Sequence, residues 1–255
     1  MNKNDSKIQI TGNGLKLIAI VTMLVDHFAY GIYYNMAVQN GWYITIFGIE
    51  LYRFMRLVGR IAFPIYCFLL VEGYFKTRDK RKYAFRLLAL AIISEYPFDK
   101  ALNYHSSFWD YNNVIFTLFV GLLVIWAIDE IRWGRVSFIS DYRLRNIAPV
   151  IPFALGCGLT WLTHTDYKAV GIATIVVMYY LHGEERIYRL VAFAAGVVIL
   201  ILGCSTREAT AFVALIPIYF YNGKRGSDSL LLRHFFNSFY PVHLAVIAIA
   251  KYLLF

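Results

Sequence analysis

Six stretches of this chain contain no Asp, Glu, Lys or Arg: Tyr111 to Ile128, Asn146 to Thr165, Ala169 to Gly183, Leu190 to Thr206, Ala209 to Gly223 and His234 to Ala250. Such runs read as membrane spans. A helix crossing a hydrocarbon layer of about 30 Å needs about 20 mostly apolar residues, and polar flanks that snorkel allow fewer. Three less clean segments precede them, near residues 14–34, 57–75 and 82–97, interrupted by Lys16, Asp26, Arg60, Glu72, Arg86 and Glu95. Of the 255 residues, 59% are hydrophobic and 16% charged, against roughly 45–50% and 25% in soluble domains. A soluble globular fold, a disordered chain, a collagen and a disulfide scaffold are excluded. The expected fold is an all-α polytopic membrane protein of about nine transmembrane helices, with residues 1–255 forming a single transmembrane domain.

Lys and Arg collect in alternate loops. One side holds Lys3 and Lys7, the group from Lys76 to Arg86, Arg132 to Arg145, Arg186 with Arg189, and Lys224, Arg225 and Arg233; apart from residues 41–56, the opposite loops hold only Lys100, Lys168 and Arg207. By the positive-inside rule the N-terminus is cytoplasmic, the chain is a multi-pass protein of the cell (plasma) membrane, and the C-terminus lies outside. The same alternation accounts for the net charge of +9 as a basic rim facing anionic lipid, so no nucleic acid partner is expected. The first apolar run is followed by Asp26, His27 and Tyr30 rather than a small-residue cleavage site, and reads as a retained span. Residues 41–56 mix aromatics with isolated charges and are expected to form an external interfacial or re-entrant helix. Cys67, Cys157 and Cys204 each lie in an apolar run and are odd in number, which favours packing over disulfides.

An ionisable group inside a span must face the bundle and find a partner, or serve chemistry. If spans two and three form an antiparallel pair, Arg60 meets Glu95 at the outer end and Glu72 meets Arg86 at the inner end; Lys76, four residues on, is a second partner for Glu72. Lys16 and His27 are eleven residues apart, roughly 20° past three full turns, and so project from one face, about 16 Å apart along the axis. One stripe then carries a cation at the cytoplasmic end and a base beyond the midplane. Asp26 lies about 100° around the helix from His27, so the two are not automatically a dyad; Asp26 can orient His27 through another helix or pair with Arg53, Arg56 or Arg60. His243 follows Pro241, near the depth of His27, and two facing histidines could share an acceptor or position a thioester. The competing reading of each is a hydrogen-bonded packing residue. His182 and His234, beside inner basic loops, read as solvated or lipid-facing, and His105 and His164 lie on the outer side. No nucleotide-binding glycine loop, Gly-x-Ser-x-Gly elbow or His-Glu-x-x-His is present, and His164-Thr165-Asp166 is too little to assign a metal.

Several stretches together resemble the TraX family, named for an enzyme linked to N-terminal acetylation of F-type pilin. They are Leu15 to His27, Gly59 to Gly73, Lys82 to Leu88 continuing in Ile93 to Asp99, Asn113 to Leu118, and Tyr240 to Leu244. That family is similar in turn to the transmembrane acyltransferases, whose first helix carries a basic residue, ten intervening residues and a histidine, the spacing of Lys16 and His27; lysine stands where arginine is frequent. The resemblance implies a transferase that moves an acetyl group from cytoplasmic acetyl-CoA to an amine or hydroxyl of an envelope or secreted acceptor, a pilin-like peptide or a glycan. It implies His27 as general base with Asp26 and His243 beside it, Lys16, Arg60 and Arg86 toward the acyl-CoA, and Glu72, Glu95 and Asn113 in the substrate pocket. Two alternatives stay open: a small-solute or proton-coupled transporter using the same charges as a relay, and a non-catalytic membrane partner of a conjugation or secretion system.

Overall fold

The computed structural model describes residues 9–41, 43–46, 48–102, 110–137, 139 and 141–255; Lys3, Lys7 and His105 lie outside the described residues. Helix α1 (Gly12–Phe28) starts at Thr11, whose hydroxyl accepts the Gly14 N–H at 3.3 Å and so satisfies an amide that a helix start leaves open. A π-helical turn at Ala29–Tyr33 carries it into α2 (Tyr34–Asn40), which Gly41 ends at a φ of 66°. Then come β1 (Thr45–Ile46), β2 (Ile49–Glu50), α3 (Leu51–Gly59) and α4 (Ala62–Lys76). Next are α5 (Lys80–Leu102), α6 (Val114–Arg132), α7 (Tyr142–Ile147), α8 (Val150–Leu162), α9 (Lys168–Tyr180) and α10 (Arg186–Gly203). A 3₁₀ helix at Thr206–Ala214 leads into α11 (Leu215–Tyr219), and α12 (Leu230–Leu254) closes the chain.

Each of the nine expected spans falls on one or more helical segments, and the described residues are all-α apart from one short hairpin. Among the described residues, four stretches are long and apolar enough by themselves to cross a bilayer: Gly12–Asn40, Leu51–Lys76, Val114–Arg132 and Arg186–Gly203. Large apolar side chains stand exposed on the outside of the bundle, among them Leu155, Leu159, Trp161 and Leu162 of α8. Water would penalise that surface; lipid does not.

Three expectations are corrected. Residues 41–56 are not one helix: Thr45↔Glu50 and Ile46↔Ile49 pair as an antiparallel hairpin around Gly48, and α3 begins only at Leu51. The β-branched residues on either side of a glycine at a φ of 76° favour a strand turn over a helix. The run from Ala209 to Gly223 is not a continuous α-helix. Pro217 has no N–H to offer the carbonyl four residues back and fits only the first turn of α11. The 3₁₀ rise of about 2.0 Å per residue still stretches the segment from Thr206 to Tyr219 to about 25 Å. Finally, α4 and α5 do not form the expected ion-paired hairpin. α5 packs on α6 and α12, and α4 on α1, α6, α9 and α10.

Two apolar cores result. One joins α1, α4, α6, α9 and α10 through Leu15, Ile65, Leu122, Ile125, Ile175 and Phe193. The other joins α1, α5, α6 and α12 through Met23, Ala91, Ile115, Leu244 and Ile247. Where they meet, Phe63 of the first and Met23, Ala62 and Phe98 of the second leave a cavity between them.

Candidate active site

Helix α12 brings His243 to His27 of α1. His243 Nδ1 lies 2.8 Å from the Phe239 carbonyl oxygen, and His243 Nε2 lies 2.8 Å from His27 Nδ1. A carbonyl only accepts, so His243 Nδ1 carries the hydrogen; in a neutral imidazole its Nε2 then holds a lone pair. His27 Nδ1–H donates to that lone pair, which leaves the lone pair of His27 Nε2 uncommitted. The two rings are nearly parallel, 6° apart with centroids at 5.1 Å. One helical carbonyl thus fixes the tautomer of both histidines and presents a base on α1.

The common face of Lys16 and His27 is observed. Lys16 Nζ sits 5.5 Å from the ring centroid of Phe236, and His27 bonds to His243, so both side chains point at α12. Around Lys16 a basic mouth forms. The loop before α12 is pinned to the start of α1 by Gly12 N–H to the Lys224 carbonyl at 2.8 Å and Asn13 N–H to the Arg225 carbonyl at 2.9 Å. Arg225 and Arg86 lie within electrostatic reach of Lys16. Arg225 also pairs with Asp228 at 2.9 Å, and Arg86 leans on the Tyr83 ring.

His27 lines the cavity where the cores meet, a space of about 470 Å³ shared with Asp26, Tyr30, Arg56, Arg60, Tyr66, Tyr111, Asp166 and Tyr167. Tyr30 reaches it from the π-helical turn after His27, where one extra residue per turn widens the helix. Asp26 does not bond to His27; its Oδ2 accepts from Arg56 Nη1 at 2.5 Å. Arg60 donates to Glu208 Oε1 at 3.2 Å and to the Tyr167 hydroxyl at 3.4 Å. Tyr167 stacks on Phe63 with centroids 3.8 Å apart. Its loop is held in unusual backbone geometry, with His164, Tyr167 and Lys168 at φ values of 48°, 61° and 44°. Such residues persist where surroundings over-determine them. Here Asn112 N–H bonds the His164 carbonyl at 3.1 Å, Asp166 N–H bonds the Asn112 carbonyl at 3.0 Å, and Asp166 Oδ1 accepts from the Tyr111 hydroxyl at 2.6 Å. Burial pushes the Asp166 carboxyl above the usual carboxylate range.

Gly59 gives Asp26 its room. A Cβ built there would stand 2.1 Å from Asp26 Oδ1, far inside contact distance. Gly59→Ala is therefore expected to cost about 1–3 kcal/mol as overpacking and to drive the Asp26–Arg56 pair from the cavity wall. Thermal denaturation in detergent measures the first effect; a wild-type midpoint would refute it.

Other sequence candidates lie elsewhere. Glu72 is part of a separate cluster, accepting from Lys76, from the Tyr221 hydroxyl at 3.0 Å and lying 3.0 Å from His182 Nε2. It meets Lys76, not Arg86, and does not line the cavity. His182 is correspondingly neither solvated nor lipid-facing; it stacks on Phe75 at 4.1 Å. Glu95 meets Asn113, not Arg60: its Oε2 accepts the Asn113 N–H at 3.1 Å and the Asn113 side-chain amide at 2.5 Å, while Asn113 Oδ1 caps α6 through Ile115 N–H at 3.0 Å. Arg60 stands at the cavity, at the opposite end of α1 from Lys16 and Arg86. Sequence reasoning missed Tyr111, Tyr167 and Glu208, and gave Asp166 no role, because each stands in or beside a turn next to an apolar run and carries no spacing signal.

A family model described as TraX protein matches residues 11–251. The chain belongs to the TraX family. Every residue of the dyad, the basic mouth and the cavity falls inside the matched region. The TraX chain is 30% identical over 256 residues to the "Probable fimbrial assembly protein FimC, serogroup H1" of Dichelobacter nodosus, covering 93% of this chain and 94% of the relative. It is 23% identical over 209 residues to the uncharacterized protein RP591 of Rickettsia prowazekii (strain Madrid E), covering 82% of this chain and 68% of that one. No solved structure matches.

Proposed function

We propose that this TraX-family membrane protein is an acetyltransferase that takes an acetyl group from cytoplasmic acetyl-CoA and places it on an amine or hydroxyl of an envelope or secreted acceptor, a pilin-like peptide or a glycan. The observation that carries the reading is the His27–His243 pair on the wall of the cavity, with the tautomer chain leaving His27 Nε2 as the open base. His27 Nε2 takes the proton of the acceptor nucleophile as it attacks the acetyl carbonyl carbon, and returns it to the departing CoA sulfur. His243 orients His27 and shares the transient positive charge. Asp26 acts through Arg56, holding its guanidinium at the cavity, and not through His27. The N-terminus is cytoplasmic in this reading, so Lys16, Arg86 and Arg225 face the side from which acetyl-CoA arrives, as a phosphate-bearing ligand requires. The fimbrial relative supports an acceptor in surface-appendage assembly.

Acetyl-CoA should raise the thermal midpoint of the purified protein, because a ligand stabilises the fold that binds it; a transporter of unrelated solutes or a scaffold gives no shift. Lys16→Glu should raise KM for acetyl-CoA about tenfold or more at unchanged kcat, since a charge-assisted hydrogen bond contributes about 1.5–3 kcal/mol. An unchanged KM in steady-state assays removes Lys16 from the donor site.

A further inference from the structure

We propose that the Arg56 guanidinium donates the hydrogen bond that holds the acetyl carbonyl oxygen while the group is transferred. The inference rests on the acetyl-transfer reading above and adds to it a second group touching the reacting atoms. Arg56 lines the same cavity as His27 and keeps 27% of its side chain accessible. Two contacts fix it there: Nη1 donates to Asp26 Oδ2 at 2.5 Å, and the guanidinium carbon stands 5.2 Å from the Tyr30 ring centroid. Asp26 comes just before His27 on α1 and Tyr30 just after it, at the π-helical turn, about 100° and about 60° around the axis on the same flank. The guanidinium therefore brackets the level of the imidazole. A guanidinium carries several N–H donors in a rigid fork, and among the described residues Arg56 commits Nη1 alone, to Asp26. Arg60 and Tyr111 share the cavity but are already engaged: Arg60 Nη1 serves both Glu208 and Tyr167, and the Tyr111 hydroxyl is given to Asp166. An accessible donor fork, held in place beside an open base, is what acyl transfer needs where negative charge develops on oxygen.

In the step itself the acceptor nitrogen or oxygen bonds to the carbonyl carbon and its proton passes to His27 Nε2. The C=O pair moves onto oxygen, where an Arg56 N–H meets the developing negative charge. The pair then returns as the C–S bond breaks, and the sulfur leaves with the proton from His27. Asp26 and Tyr30 hold the guanidinium before substrate arrives, so little reorganisation accompanies the charge as it forms.

The test compares wild type, Arg56→Met, and the double variant Arg56→Met with Asp26→Asn, which removes both members of the ion pair and so leaves no unpaired carboxylate. Each, purified in detergent, is measured for acetyl transfer from acetyl-CoA to a primary-amine probe and a hydroxyl probe, for thermal midpoint, and for the infrared carbonyl band of bound acetyl-CoA isotope-labelled at that carbon. Both variants are expected to lose about 10²–10³-fold in kcat per folded molecule with KM for acetyl-CoA nearly unchanged. The carbonyl band should fall in frequency on binding to wild type and stay at its free position in the variants. Wild-type kcat in either folded variant overturns the inference, and a lowered midpoint with kcat per folded molecule retained marks a structural arginine and overturns it too. A band that does not move when wild type binds acetyl-CoA overturns it without recourse to any variant. If wild type transfers acetyl and the variants match it, this inference alone fails; if wild type neither binds acetyl-CoA nor transfers to either probe, it falls together with the acetyl-transfer reading.

Discussion

His27→Ala is expected to lower acetyl-CoA-dependent acetylation by about 10²–10⁴-fold while the protein keeps its fold, the span that general-base catalysis ordinarily contributes. The fold should survive because His27 bonds one partner, His243, and the helix through it is anchored elsewhere, by Leu15, Ala19 and Met23 in the two cores. His243→Ala should fall between wild type and His27→Ala. Without His243 Nε2 nothing holds the hydrogen on His27 Nδ1, so part of the population presents a donor to the acceptor where a lone pair is needed. Transfer of labelled acetyl from acetyl-CoA, normalised to folded protein, measures both. Undiminished turnover in folded His27→Ala would remove the central role of the imidazole, and a His243→Ala loss larger than that of His27→Ala would reverse the order of the pair.

The reach of the sequence is uneven along this site, for physical reasons. Periodicity is a property of one helix, so the common face of Lys16 and His27 was legible, as was the presence of nine helical runs. Depth follows from rise per residue, so His243 could be placed near the level of His27. Partner choice is different, because it depends on which helices pack together. Sequence-adjacent α4 and α5 appeared the natural pair; the structure sets α5 against α12 and α6, which sends Glu95 to Asn113 and leaves Glu72 to Lys76 and His182. The cavity was the least legible part. Its walls at Asp166 and Tyr167 come from a loop in left-handed backbone conformation, with no glycine to announce it. The Glu208 that holds Arg60 stands at the start of a 3₁₀ helix, in the short break between two apolar runs, where no periodicity marks it.

That last pair sets the second large effect. Glu208 is 2% exposed and meets Arg60 Nη1 at 3.2 Å, while its other oxygen has no partner among the described residues. Arg60→Met removes the cation and leaves the buried carboxylate unpaired, expected to cost about 3–5 kcal/mol. Glu208→Gln alone should cost less, since the guanidinium keeps the Tyr167 hydroxyl and a more open position. The double variant Arg60→Met with Glu208→Gln should recover much of the loss, because replacing both members of a buried pair removes the desolvation penalty together with the attraction. Unfolding midpoints of the four proteins in one detergent decide the matter. Additive losses in the double variant would mean that Arg60 is stabilised by its stem packing and not by Glu208. The recovered double variant then serves a second purpose: it keeps the cavity wall folded without the Arg60 guanidinium, so any fall in acetyl transfer that persists in it belongs to the lost Arg60–Glu208 charges at the cavity rather than to a damaged fold.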